Sequence, residues 1–99
     1  MKMEIRSAQS MMQSLYGSRD RARGKEQTLL WLIEEVGEMA EALRQSNSNG
    51  LKEEFADVLA WLFSLGNVLG IDVESAFQSK YHGTCPKCKR TPCECSELV

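Results

Sequence analysis

Residues 29–43, LLWLIEEVGEMAEAL, decide how this chain is read. Leu29, Leu32, Ile33, Val36, Met39, Ala40 and Leu43 recur at steps of three and four, the period of one helical face. The acids Glu34, Glu35, Glu38 and Glu41 are interleaved with them. The spacing predicts a helix from about Glu26 to about Gln45, stopped by the turn-forming cluster SNSNG at 46–50. A second stretch, EFADVLAWLFSLGNVL at 54–69, is apolar over much of its helical circumference through Phe55, Val58, Leu59, Leu62, Phe63, Leu65 and Val68. It belongs to a helix from about Leu51 to Leu69, expected to be the most buried of the fold.

Outward from this pair the signals are weaker. Ile5, Ala8, Met11, Met12 and Leu15 predict a helix over 4–16 that ends near Gly17. Met1, Met3, Met11 and Met12 read as adaptable packing at that end of the chain. The segment GSRDRARG at 17–24 is polar, basic and bounded by glycines, so it reads as a loop. Gly70 supplies a helix stop, and Asp72 an N-cap for a short fourth helix through Lys80. No strand pattern and no repeat is present. The expected fold is all-α, an antiparallel bundle of about four helices with a short cysteine-rich tail. Phe55, Leu59 and Phe63 cannot all be covered by so few helices, so the bundle is expected to be completed by oligomerisation into a homodimer or homotetramer.

At 99 residues there is room for one folded core. A net charge of -2 argues against a general nucleic-acid binder, whose footprint is basic. The apolar run at 58–63 is too short to span a bilayer, so no membrane association is expected. Residues 1–6 lead into no signal-peptide stretch, and the expected location is cytoplasmic.

The acids carry the chemistry. Glu35 and Glu38 stand one helical turn apart, and Glu54 and Asp57 repeat that spacing on the next helix. A tight turn makes these helices antiparallel neighbours, so both pairs can converge on one point. Four carboxylates cannot all stay ionised in a small dry space unless a cation neutralises them. An all-oxygen set suits Mg²⁺ or Mn²⁺ rather than zinc or copper. Magnesium shares its shell readily with substrate phosphates, which points to phosphate chemistry. A di-iron bundle is excluded because its Glu-x-x-His motifs are missing; His82, the one histidine, lies outside these helices. The competing reading makes each glutamate part of a solvated face; Glu41 and Glu53 are taken that way.

Glu34-Glu35-Val36-Gly37-Glu38 followed by Glu54-Phe55-Ala56-Asp57 resembles the EExxE…ExxD signature of MazG-like nucleotide pyrophosphohydrolases. The resemblance extends to Arg19–Gly24, Thr28–Leu32, Asp57–Trp61 and Gly70–Asp72, and covers roughly residues 7–81. It implies an Mg-dependent enzyme, with Mn²⁺ as an alternative ion, that splits a nucleoside triphosphate, NTP or dNTP, into monophosphate and pyrophosphate. The helical domain would occupy residues 1–82 and the tail 83–99. Carried over, Glu35, Glu38, Glu54 and Asp57 are the metal ligands, and Glu34 orients or deprotonates the attacking water. Lys80, Arg21, Arg23 and Lys25 are candidates for a phosphate clamp, with Lys80 favoured by its family-like position; the arginines stand equally as a solvated loop. Trp31 and Trp61 are either base-stacking groups or core. Asn67 either contacts ribose or base, or caps a neighbouring backbone group.

Cys85, Cys88, Cys93 and Cys95 form a Cys-x2-Cys-x4-Cys-x-Cys array confined to the tail. Disulfides there would leave the helical body unstapled, whereas four thiolates complete a structural zinc shell, with His82 able to replace one sulfur. Reactive thiols and an unfolded tail are the other readings. From a different class, the chain could be a non-enzymatic helical interaction module whose zinc tail contacts nucleic acid or protein. Such a module has no need of converging carboxylates.

Overall fold

The computed structural model describes residues 3–96 and has four helices in chain order: α1 (Ile5–Arg23), α2 (Lys25–Arg44), α3 (Ser48–Leu69) and α4 (Val73–Lys80). Met1 and residues 97–99 of the tail lie outside the described residues. There is no strand among the described residues. The all-α expectation holds, and α3 is the central element, packed against both α2 and α1, while α4 packs on α1. No single helix is long and apolar enough to cross a membrane.

Two boundaries differ from the sequence reading. The expected break at Gly17 does not occur, because α1 continues through the basic segment to Arg23. Gly17 is a buried helical position, and a Cβ there would come within 2.6 Å of the Gln13 amide. Arg21 and Arg23 sit in the last turn, where cations complement the helix dipole. The actual break is Gly24 alone, at φ 88°, a conformation that glycine adopts without steric cost. The second difference is the turn between α2 and α3. Only Gln45, Ser46 and Asn47 separate the two helices, because Asn47 accepts from the Gly50 N–H at 3.0 Å and starts α3 three residues earlier than expected.

The far end of α3 closes as the sequence predicts. Gly70 is left-handed, and Ile71 N–H donates to the Gly66 carbonyl at 2.8 Å, the bond pattern of a Schellman stop. Asp72 caps α4 by accepting from the N–H groups of Glu74 and Ser75. Gln9 locks this corner from α1: its side-chain amide donates to the Ile71 carbonyl at 2.7 Å and accepts from Val73 N–H at 2.9 Å. Arg6 adds ion pairs to Asp72 and to buried Glu74. Gly66 is required here, since a Cβ would meet Gln9, Val73 and the Ile71 carbonyl at 2.9–3.1 Å.

The core is thin. Phe63 is 4% exposed, but Phe55 is 62% and Leu59 49% exposed. Met3, Met11 and Met12 line an open apolar groove with Ala8, Ala56, Leu59, Ala60 and Phe63.

Candidate metal centre and adjoining cavity

The helical spacing of α2 stacks Glu35 over Glu38, and the short turn returns α3 so that Glu54 faces them. Carboxylate oxygens of these three residues all lie within 4.8 Å of one another. Glu35 Oε2 and Glu54 Oε2 are buried with no hydrogen-bond partner. An unpaired carboxylate oxygen removed from water is expensive, and the cost is relieved by a proton or a cation. Accordingly the Glu35 carboxyl is pushed up to about 8, first by burial and then by its neighbours Glu54 and Glu38. The donor set is oxygen alone, with two orphaned atoms, and it fits a hard divalent ion.

Asp57, one turn beyond Glu54 on α3, is not in that group of three. It lines an adjoining cavity of about 170 Å³ with Met12, Tyr16, Asp20, Arg23, Ala60, Trp61 and Ser64. Glu34 is exposed on α2 beside the cluster, and Glu41 is a surface acid paired with Arg44, as expected.

At the cavity wall two candidates from the sequence, Arg23 and Trp61, meet Asp20, which the sequence reading did not single out. Asp20 is 2% exposed, and its Oδ1 accepts from Arg23 at 2.8 Å. Arg23 also reaches Thr28 Oγ1 at 3.4 Å, while Thr28, fully buried, donates to the Gly24 carbonyl at 2.7 Å. The Arg23 guanidinium then lies 4.7 Å from the centre of the Trp61 ring. A chain of side chains thus fixes one cation at the wall that Asp57 shares. The available signal was the i,i+3 spacing of Asp20 and Arg23, which has meaning only if the segment is helical.

Apart from Trp61, the remaining candidates are dispersed. Trp31 and Trp61 stack on each other, with ring centres 6.1 Å apart and planes at 13°. Asn67 donates to the Gln9 carbonyl at 3.1 Å, so it serves the α1–α3 contact. Lys25 borders a different, apolar pocket with Glu26, Leu29, Leu65 and Leu69, and Arg21 is exposed. Lys80 lies over the Tyr81 ring at 5.6 Å, at the end of α4.

In the tail, Cys85, Cys88, Cys93 and Cys95 bring four sulfurs within 4.8 Å of one another, a group that could bind a metal. His82 is exposed and is not a member of that group.

Facing helices of an all-α protein gather three glutamates around one oxygen-lined point, a group that could hold a metal ion. The MazG nucleotide pyrophosphohydrolase domain matches residues 23–89, and the chain belongs to that family. The match begins at Arg23 and takes in every acid of the signature. No curated protein matches the chain. The family is one of nucleotide pyrophosphohydrolases, which are typically metal-dependent, so hydrolase activity and a nucleotide substrate follow at the level of the family.

Proposed function

We propose that this protein is a magnesium-dependent nucleoside triphosphate pyrophosphohydrolase acting on NTP or dNTP, in the clearance of non-standard or surplus nucleotides. The observation that carries the reading is the convergence of Glu35, Glu38 and Glu54 within 4.8 Å, with two buried oxygens left unpaired. These residues would hold Mg²⁺, or Mn²⁺ in its place, with Asp57 completing the set from the cavity side. When bound, the ion supplies positive charge to the phosphate oxygens that develop negative charge as pyrophosphate leaves.

The protein's own groups do the rest. Glu34 orients or deprotonates a water, whose oxygen bonds to the α-phosphorus while the bridge to the β-phosphorus breaks. Arg23, held against Trp61 by Asp20, presents a cation to the phosphates at the cavity wall. Lys80, Arg21 and Lys25 are assigned no more than an outer electrostatic part. Residues 1–82 are read as the catalytic unit and 83–99 as an appended tail. The protein is proposed to work in the cytoplasm as a homodimer or homotetramer.

The test is pyrophosphate release from a nucleotide panel with magnesium, comparing the wild type with Glu38→Gln and Asp57→Asn. Release by the wild type that falls at least roughly a hundredfold in each variant is the expected result. No metal-dependent release from any nucleotide by the folded wild type would favour the non-enzymatic interaction module.

A further inference from the structure

We infer that the tail is a closed zinc site in which Cys85, Cys88, Cys93 and Cys95 bind one ion through all four sulfurs, and that this ion folds the segment. Residues 83–96 contain no leucine, isoleucine, valine, methionine or aromatic side chain, so apolar burial cannot organise them. Yet the sulfurs are gathered. Cys85 and Cys95 are 3.7 Å apart, and Cys88 and Cys93 3.9 Å. A tetrahedron with zinc–sulfur arms of about 2.3 Å has edges of about 3.8 Å. A disulfide requires about 2.05 Å, so these spacings belong to thiolates around a common centre rather than to bonded pairs.

The backbone is arranged for the same purpose. Residues 85–90 turn tightly, with Lys89 N–H donating to the Cys85 carbonyl at 2.8 Å and Cys85 N–H to the Arg90 carbonyl at 3.0 Å. Lys89 takes a left-handed φ of 63°, which reverses the chain after the first pair of cysteines. Glu94 N–H points at Cys88 Sγ at 3.3 Å, and Cys95 N–H at Cys93 Sγ at 3.4 Å. Such donors stabilise sulfur that carries negative charge. Among the described residues, the tail's side-chain hydrogen bonds and its ion pair all close within residues 83–95.

Four protein ligands leave no open coordination position, so the ion is structural. Its soft donors differ from the oxygen-only set on α2 and α3. This inference stands independently of the catalytic reading.

Full-length protein purified without chelator is expected to contain about one zinc per chain. Replacing that zinc with Co²⁺ should give the intense visible spectrum of tetrahedral thiolate cobalt. Cys88→Ser should lose both signals, and Glu38→Gln should keep both. On the wild type, a strong chelator should make all four thiols reactive, with protection restored by added zinc; this readout needs no variant to fold. Absence of zinc, iron in its place, a cobalt spectrum of oxygen-ligated type, or thiols equally reactive with and without zinc would each overturn the inference.

Discussion

Glu35 is the residue on which the charge balance of the site turns. Its carboxyl is raised from its ordinary value to about 8 by burial and by Glu54 and Glu38. A raised acid is bound to its proton more tightly in the folded chain than in the unfolded one. The stability this contributes is complete below about 4.5, and it is lost as pH rises toward about 8. Metal-free protein should therefore melt at progressively lower temperature across that window. Glu35→Gln should flatten the curve, and magnesium should restore stability at the alkaline end. Thermal melts against pH, with and without magnesium, check this; a wild-type curve as flat as that of Glu35→Gln would refute it. Asp20 makes a different contribution. Its charge-assisted bond to Arg23 is made by an almost fully buried carboxylate, so Asp20→Asn should cost about 2 kcal/mol of stability and free Arg23 from Trp61. Denaturant unfolding measures the first effect, and a change in tryptophan fluorescence reports the second.

At the scale of elements, three of the four helices were legible in the sequence to within about three residues, because apolar positions repeat at the helical period even where, as at Ile33 and Leu43, the single chain leaves them exposed. The end of α1 was not. Gly17 looks like a stop, but its missing side chain relieves crowding with Gln13 inside a continuing helix. Propensity gives a glycine two meanings, and only its neighbours in space select one. The α1–α3–α4 corner makes the same point through Gly66 and Gln9. Gly66→Ala drives a methyl against Gln9, Val73 and a backbone carbonyl, and is expected to cost about 1–3 kcal/mol. Asp72→Ala removes the α4 cap and a partner of Arg6, and is expected to lower stability. Chemical denaturation of both variants is the check; a Gly66→Ala protein as stable as the wild type would mean that the corner is looser than described.

The whole molecule leaves more apolar surface uncovered than one short chain can hide. Phe55, Leu59, Leu30 and Ile33 are all about half exposed or more. Burial of such a surface stabilises by about 25 cal/mol per Å², and a second copy of the bundle is the simplest cover. Sedimentation should find a dimer or larger species at micromolar concentration, and Phe55→Glu should shift it toward monomer. A stable wild-type monomer there would remove the oligomer from the proposal.

The sequence alone determined the helical class, the two amphipathic partners, the acids that α2 and α3 carry, and the clustering of cysteines. All of these are consequences of local periodicity and of a short connection, which act between residues near in the chain. What the three-dimensional packing decided is which groups share a space: Glu35, Glu38 and Glu54 in one cluster, Asp57 in the cavity beside it, and Arg23, paired with Asp20, over Trp61 at 38 positions' distance in sequence. Those meetings depend on helix rotation and on where each side chain finds room. That is a property of the packed whole, which no single segment encodes.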